Sequence, residues 1–308
     1  MTKEQFLRNL TPPEGRVDVV LDTDAYNEID DQFAISYLLH AEEKLSPIRF
    51  YAAPFHNEKS SGPEDGMLKS YEEILHLLRL ADREDLEECV LEGSPRYLPD
   101  EKTPVLSPAA QDLSQLAMEY SPEYPLYVVA IGAITNVASA LLMNPAIAEN
   151  MVVVWLGGNA RHLSHTREFN MMQDIAAARV VMGSGVPFVQ LPCDGVVKQF
   201  TVSGVELRHW LSGKNPLADY LAEHTIQEAE SYAAGTPWTR VIWDVTAVAW
   251  LLDRDGRFFS SQILPVRLPD YTHRYEECEL DIPMRYVDNV SRDALMTDLF
   301  RRLTEGSV

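Results

Sequence analysis

The chain has 308 residues, and its 47 aspartates and glutamates against 26 lysines and arginines give a formal net charge of −21. This acidity argues against binding to a nucleic-acid backbone, while a hydrophobic fraction of 46% is enough for a sizeable core. No stretch reaches the roughly 18 uninterrupted apolar residues of a membrane span, and residues 1–15 lack the apolar core of a signal peptide. Because Cys89, Cys193 and Cys278 are far apart, we expect neither a disulfide framework nor a zinc ribbon, and we predict a cytoplasmic protein.

Strand-like and helix-like segments alternate through the first two thirds of the sequence. Runs rich in Val, Ile, Leu and aromatic residues predict strands at 17–22, 48–55, within 126–143, at 151–158 and at 186–192. Apolar residues at helical spacing predict helices at 31–43, 69–82 and 174–185, and beyond about Ser203 at 215–234 and 240–252. This order predicts an α/β fold, a single domain over residues 1–308 with a mostly parallel, Rossmann-like open sheet flanked by helices.

Polar clusters follow four of the predicted strands. They lie at 22–31, 56–57, 132–136 and 157–170. Ligands of open parallel sheets bind beyond the carboxyl ends of the strands, so we expect these clusters to meet at one rim.

The first cluster is the densest group of acids, with Asp22, Asp24, Glu28, Asp30 and Asp31 inside ten residues. Carboxylates this close repel one another, so they must be solvated, protonated or neutralised by a cation. Helix capping accounts for Asp30 and Asp31 at the start of a helix. It does not account for Asp22 and Asp24, which come at the end of an apolar strand.

Two known acidic motifs are alternatives. An EF-hand loop that begins at Asp22 would need glycine at position six and glutamate at position twelve, where this chain has Asn27 and Phe33. A magnesium-dependent aspartyl-phosphate phosphatase of the haloacid-dehalogenase type also ends its first strand in Asp-x-Asp, as residues 22–24 do. No later Gly-Asp-x-x-x-Asp run completes its metal site, so the phosphatase is the weaker alternative.

A metal site built from oxygen ligands is the remaining interpretation of the cluster. It has no His or Cys donors, which favours calcium or magnesium over zinc. Calcium binds six to eight oxygens, so further ligands are expected from the other strand ends.

Five segments then follow one another in an order that is typical of one enzyme family. Residues 22–31 correspond to an Asp-x-Asp-Pro-Gly-x-Asp-Asp motif, although they are two residues longer and lack the Pro-Gly. Four further motifs follow in order: Ala-Pro-Phe-His-Asn at 53–57, a strand that ends in Val-Val-Ala-Ile-Gly at 128–132, Glu-Phe-Asn at 168–170 and Trp-Asp at 243–244. Together they resemble the nucleoside hydrolase family, the inosine–uridine-preferring type of N-ribohydrolase. The resemblance implies calcium-dependent hydrolysis of the N-glycosidic bond of ribonucleosides, in nucleoside catabolism.

The resemblance also implies a role for each matching residue. Calcium would be bound by Asp24, Asp31, the backbone carbonyl of Ile131 and Asp244, and Asp24 would also be the general base toward a calcium-bound water. Four further residues would hold the ribose hydroxyls and the 5′ end, namely Asp30, Asn57, Glu168 and Asn170. Asp22 would be a supporting acid behind the site. Carboxylates around the ring would stabilise an oxocarbenium-like transition state.

The sequence departs from the family on the side of the leaving group. Many relatives place a histidine directly before the late aspartate, where it can protonate the leaving base, and this chain has Trp243 there. Indole supplies no proton at neutral pH, so Trp243 would act by stacking on the base, with plain helix packing as the alternative. His162 and His165 are alternative acids. Base preference is therefore not carried over, and a riboside other than a standard nucleoside also fits.

Two other classes of protein remain alternatives. The magnesium-dependent phosphatase would form its aspartyl-phosphate at Asp22. A riboside-binding protein without catalysis would keep the metal and the ribose contacts, and Trp243 favours it. In each case the partner is a small molecule, and the family implies a homo-oligomer, either a dimer or a tetramer.

Overall fold

Ten strands form two sheets in the computed structural model of the protein, which describes residues 1–305. They are β1 (Val17–Thr23), β2 (Leu45–Ala52), β3 (Val90–Leu91), β4 (Leu126–Ala130), β5 (Met151–Leu156), β6 (Phe188–Leu191), β7 (Thr201–Ser203), β8 (Thr239–Val241), β9 (Phe259–Val266) and β10 (Leu280–Val290). The main sheet has the order β3-β2-β1-β4-β5-β6-β10-β9, whereas β7 and β8 pair separately. All neighbours in the main sheet are parallel except β9 and β10. This confirms the predicted α/β fold.

The α-helices in this part of the chain cover both faces of the main sheet. They are α1 (Lys3–Asn9), α2 (Ile29–Leu39), α3 (Pro63–Leu80), α4 (Pro108–Leu116), α5 (Thr135–Met143), α6 (Phe169–Gln173), α7 (Ile175–Gly183), α8 (Gly204–Trp210), α9 (Pro216–Ala233), α10 (Val245–Trp250) and α11 (Arg292–Glu305). In β1, Val19 and Leu21 pack under α2 and α10, while Val20 joins the core under α4, α5 and α7. None of the helices between residues 1 and 305 combines the length and the apolar character needed to cross a membrane.

The end of the chain contains more strand than the sequence predicts. Beyond Ser203 we expected mainly helices, but β9 and β10 extend the sheet at the edge beside β6. Both strands are only partly buried, and β9 contains Ser260, Ser261 and Gln262, so neither shows the continuous apolar run of a central parallel strand. The predicted strand at 48–55 is β2, which begins and ends three residues earlier.

The order of the sheet creates a crevice at the carboxyl ends of its central strands. The chain builds outward from β1 through β2 to β3, and then returns to the other side of β1 with β4. Such a switch point is where open α/β sheets bind ligands. In register, Asp22 lies opposite both Tyr51 of β2 and Ala130 of β4, so the three strands end at one level.

An ion-pair network attaches α11 to α2. The Tyr37 hydroxyl donates to Asp298 at 2.6 Å, and Arg302 and Arg301 each donate to the same carboxylate at 2.8 Å. Burial raises the pKa of Asp298, but the hydrogen bond from Tyr37 and the ion pairs outweigh it, so that the pKa lies below its usual value. A depressed pKa contributes stability that is present above about pH 4 and is lost as the pH falls through the folded-state value.

Replacing Asp298 by asparagine is therefore expected to lower the free energy of unfolding by about 1–2 kcal/mol at pH 7. The difference from the wild type should shrink as the pH falls below 4, because the wild-type carboxylate is then protonated as well. Urea unfolding at several pH values measures this. Asp293→Asn, on the same helix with a side chain that is 91% exposed, is the control and should change stability by less than about 0.5 kcal/mol.

Candidate functional site

A cleft of about 410 Å³ opens at the switch point, with eighteen lining residues. Nine of the ten residues predicted from the sequence line it, whereas Asp22 is fully buried and does not line it. The nine residues are Asp24, Asp30, Asp31, Asn57, Ile131, Glu168, Asn170, Trp243 and Asp244. Residues from the polar clusters after β1, β2 and β5 therefore meet at one rim, where Ile131 joins them directly after β4, whereas the predicted cluster 132–136 does not line the cleft.

Four buried aspartates form the floor of the cleft. We call Asp24, Asp30, Asp31 and Asp244 the carboxylate cluster, and each is no more than 4% exposed. Oxygen atoms of Asp30, Asp31 and Asp244 lie within 4.8 Å of one another. Burial, and then the charges of Asp31 and Asp30, raise the pKa of Asp24 well above its usual value. Burial also raises the pKa of Asp31 to about 7, even though a hydrogen bond from Thr23 opposes the shift.

Local structure brings these acids together. After β1 the chain turns at Asp24, whose carbonyl accepts the backbone N–H of Asn27 at 2.7 Å. Helix α2 begins two residues later, so Asp30 and Asp31 lie in its first turn, where the helix dipole favours carboxylates. The fourth aspartate comes from the start of α10, which packs against α2.

The carboxylate cluster has the properties of a cation site. No lysine or arginine among residues 1–305 forms an ion pair with any of its four members. One oxygen of Asp24 and one of Asp30 are buried without a hydrogen-bond partner in the same range. Uncompensated buried charge of this kind is strongly unfavourable, and a divalent cation would neutralise it. The donors are all oxygens, which suits calcium or magnesium.

The tightest trio differs in one member from the ligand set implied by the resemblance. It contains Asp30, whereas the implied set contains Asp24. Both lie in the carboxylate cluster, and the orphan oxygens of both are available. Ile131 also lines the cleft, and its carbonyl accepts one hydrogen bond from the Asn170 amide at 3.0 Å, which leaves its second lone pair.

Asp22 is held by a buried network that sequence reasoning missed. The Asn136 amide donates to Asp22 at 2.8 Å and to the Ala52 carbonyl at 3.3 Å, and its oxygen accepts both the N–H and the hydroxyl of Ser94. Burial raises the pKa of Asp22 to about 7, against the hydrogen bond from Asn136. Asn136 lies in the first turn of α5, and its side-chain amide bonds to residues at or just beyond the ends of three strands.

Hydrogen bonds also fix the polar residues on the opposite wall. Glu168 caps α6, and its carboxylate accepts the backbone N–H groups of Gly158 at 2.7 Å, Asn170 at 2.8 Å and Met171 at 3.0 Å. Burial raises the pKa of Glu168, and these bonds oppose the shift. The Asn170 amide donates to the carbonyls of Ile131 and Leu156. This wall is therefore pre-organised.

Asn57 lies on the third side of the cleft. Its amide donates to the Asn27 side chain at 2.7 Å, and its oxygen accepts the backbone N–H of Lys59 at 2.9 Å. The Lys59 ammonium in turn donates to the Asn27 carbonyl at 2.7 Å. Hydrogen bonds thus connect the loop after β2 to the turn after β1.

Trp243 and Glu28 line the remaining side. Trp243 is half-buried at the end of the segment that follows β8, and Glu28 forms an ion pair with Arg240 of β8 at 3.2 Å. His162 and His165 are exposed and do not line the cleft, so the structure does not bring either into the site.

Comparisons with known proteins agree with one another. Residues 50–298 match the sequence model of a family described as inosine-uridine preferring nucleoside hydrolase, which leaves the acidic segment 22–31 outside the match. A probable ribonucleoside hydrolase of Dictyostelium discoideum is 30% identical over 102 residues, which are 32% of this chain and 30% of the relative. The Escherichia coli pyrimidine-specific ribonucleoside hydrolase RihB is 31% identical over 136 residues, 42% of either chain. The chain thus spans less than half the length of these curated relatives.

A solved structure described as a plant nucleoside hydrolase, PpNRh1, has the same fold. It superposes with a TM-score of 0.74 and 20% sequence identity, over 94% of this chain and 99% of the other.

Proposed function

This chain belongs to the inosine-uridine preferring nucleoside hydrolase family, and on this basis we propose that it hydrolyses the N-glycosidic bond of ribonucleosides to give ribose and a free base. The observation that carries the proposal is the buried carboxylate cluster at the switch point, surrounded by fixed amide and carboxylate groups. A cleft of about 410 Å³ also has the size that a nucleoside requires.

The proposal assigns calcium to the cluster, with Asp24, Asp31, Asp244 and the Ile131 carbonyl as ligands and Asp30 beside them. When bound, calcium would orient the ribose diol and lower the pKa of water. The support comes from the donor chemistry and from the orphan oxygens of Asp24 and Asp30.

The protein's own groups then divide the reaction between them. Asp24 accepts the proton of the attacking water. Asp30, Asn57, Glu168 and Asn170 hold the sugar, and their hydrogen bonds to neighbouring groups keep them oriented, which lowers the entropic barrier of the reaction. The nearby carboxylates stabilise the positive charge that develops on the ring as the bond to the base lengthens.

The test is the release of free ribose from a panel of purine and pyrimidine nucleosides, with calcium and with a chelator. Release that the chelator abolishes and calcium restores is the expected result. Binding without release, seen as a nucleoside-dependent rise in the thermal midpoint, would instead identify a riboside-binding protein. If the protein neither binds nucleosides nor releases ribose from them, the assignment is contradicted.

The phosphatase alternative is disfavoured by the position of Asp22. A nucleophile must reach the substrate, but Asp22 is 0% exposed, does not line the cleft and is bound by Asn136. We expect no phosphate release from aryl phosphates in magnesium, in the same preparation that releases ribose.

We also propose a homodimer or homotetramer in the cytoplasm. The resemblance to the family supports the oligomer, and the three free cysteines fit a reducing compartment. Sedimentation of the purified chain tests the oligomeric state, and imaging of the tagged chain in its own cells tests the location.

Gly132 provides a test of the metal assignment. A Cβ added here would lie 2.9 Å from a carboxylate oxygen of Asp24 and 3.1 Å from the Cβ of Ala53. Gly132→Ala is therefore expected to displace the Asp24 carboxylate and weaken calcium binding by about tenfold or more in a calorimetric titration. Gly183→Ala is the control, because the nearest atom to its new Cβ is 4.0 Å away, on Leu268. Equal affinity in the two variants would contradict Asp24 as a ligand.

A further inference from the structure

Outside the carboxylate cluster, which the proposed function assigns to the metal, the water and the sugar, the lining of the cleft contains no side chain suited to protonate a leaving base. None of the eighteen lining residues is a histidine, a lysine or a tyrosine. Trp243 occupies the position directly before α10 from which a side chain could protonate the base, but an indole N–H is not an acid at neutral pH. Arg167 is the single basic residue of the lining, and a guanidinium does not release its proton.

The acids outside the carboxylate cluster are already engaged as hydrogen-bond acceptors or ion-pair partners, or stand at the open rim. Glu28 is paired with Arg240 at 3.2 Å, and Asp194 with Lys198 at 2.9 Å. Glu168 accepts three backbone N–H groups, and Glu58 is exposed. Burial raises the pKa of the Cys193 thiol well above its usual value, which makes it a poor acid. A carboxylate that forms an ion pair accepts protons rather than supplies them.

A neutral purine or uracil leaves as an anion unless it is protonated, so this lining suits such bases poorly. A heterocycle that is already positively charged needs no proton, because it leaves as a neutral molecule. The charge of the lining also favours a cation, since eight of its residues are acidic and one is basic. A divalent cation would neutralise only two of those negative charges.

Trp243 supplies the matching surface. Its ring is half-buried in the wall of the cleft, and the face of an indole is the strongest cation–π partner among the side chains. Its neighbour in the sequence, Asp244, belongs to the carboxylate cluster, so the ring lies at the edge of the region that would hold the sugar.

We propose that the substrate is an N-riboside of a positively charged heterocycle, such as a pyridinium or an N7-alkylated purinium, with Trp243 against the charged ring. This inference rests on the proposed hydrolysis and specifies its substrate class.

The reaction balances without a proton donor. The bond between C1′ and the ring nitrogen breaks, and its electron pair goes to the nitrogen and cancels the positive charge. The water oxygen bonds to C1′, and its proton passes to Asp24 and then to solvent. The products are ribose, a neutral heterocycle and a proton.

Guanosine and 7-methylguanosine form the decisive pair, because they differ by one methyl group and one charge. We expect kcat/KM for ribose release to be at least about 100-fold higher for 7-methylguanosine, because guanine would have to leave as an anion whereas 7-methylguanine leaves as a neutral molecule. Nicotinamide riboside should also be a good substrate. A value for guanosine equal to or above that for 7-methylguanosine would overturn the inference.

Two variants locate the effect in Trp243. Trp243→Leu should raise KM for 7-methylguanosine by about 2- to 30-fold relative to the change for guanosine, because it removes the cation–π contact. Trp243→His should raise kcat for guanosine by about tenfold or more, because it supplies a proton donor, and should not raise kcat for 7-methylguanosine. Equal changes for both substrates in Trp243→Leu would contradict the inference. If either variant fails to fold, which its thermal midpoint reveals, the wild-type comparison decides.

A neutral riboside with a good leaving group separates the two proposals. 4-Nitrophenyl riboside needs no protonation of its leaving group. If it is hydrolysed while 7-methylguanosine and nicotinamide riboside are not, the ribosyl chemistry stands and the cationic substrate class fails. If no riboside releases ribose, the proposed function itself fails.

Discussion

Asp24→Asn is expected to lower kcat for ribose release by about 1000-fold or more while leaving the fold intact. The substitution keeps the shape of the side chain but removes both the proposed proton acceptor, worth about 10²- to 10⁴-fold in rate, and a proposed charged metal ligand. The orphan oxygen of Asp24 makes no hydrogen bond whose loss would destabilise the fold. The measurement is initial-rate ribose release at saturating calcium.

The same variant should have the opposite effect on stability in the presence of a chelator. Burial and repulsion from Asp31 and Asp30 make the Asp24 carboxylate unfavourable in the ion-free protein, so its thermal midpoint should be equal to or above that of the wild type. Asp194→Asn is the matched control, because Asp194 lines the same cleft but is 40% exposed and paired with Lys198. It should keep activity within about threefold. A loss of activity that is the same in both variants would contradict a specific role for Asp24.

Asn136→Ala is expected to cause the largest loss of stability, about 3–5 kcal/mol in the free energy of unfolding. The substitution leaves the Ser94 N–H and hydroxyl, the Asp22 carboxyl group and the Ala52 carbonyl with fewer partners in a region where Asn136 is 0% exposed. Each unsatisfied buried group contributes about 1–3 kcal/mol. Urea unfolding in the presence of a chelator measures the effect without a contribution from bound ions.

Asn144→Ala at the other end of α5 is the comparison. Its amide makes a single bond, to the Ser114 carbonyl at 3.0 Å, in a partly exposed position. About 1 kcal/mol is expected there. Similar losses in the two variants would show that the Asn136 network contributes no more than an ordinary helix-end hydrogen bond.

The sequence predicts the core of the sheet because buried parallel strands appear as continuous apolar runs. Residues 151–156 of β5 are all buried and all apolar, which makes the strand recognisable in the sequence. By contrast, β9 alternates irregularly between buried and exposed positions at the edge of the sheet, and its polar residues hide it. A strand can therefore be recognised in the sequence when both of its faces are buried.

A similar limit applies to the site. The positions of Asp24 and Asn57 follow from one rule, that parallel strands end at one rim, and this rule needs only local signals. Ile131 is proposed as a ligand only because the sequence resembles the nucleoside hydrolase family. The hydrogen bonds of Asn136 with Asp22 and with Ser94 join residues that are 114 and 42 positions apart, and no local sequence pattern predicts them. The capping bonds of Glu168 were also missed, although an acid directly before a short helix is a usual cap signal.

The carboxylate cluster also bears on how the chain survives in a cell. Asp24, Asp30 and Asp31 from one short segment meet Asp244, more than 200 residues away, only when the chain folds, so a cation captured there binds the native state in preference to the unfolded chain. Such an ion adds RT ln(1 + [ion]/Kd) to folding stability, about 2.7 kcal/mol at a concentration of 100 Kd. The supply of the ion would then determine how long the protein resists cellular proteases as well as how fast it turns over substrate. When the ion is scarce, the protein would be degraded and not only inactive.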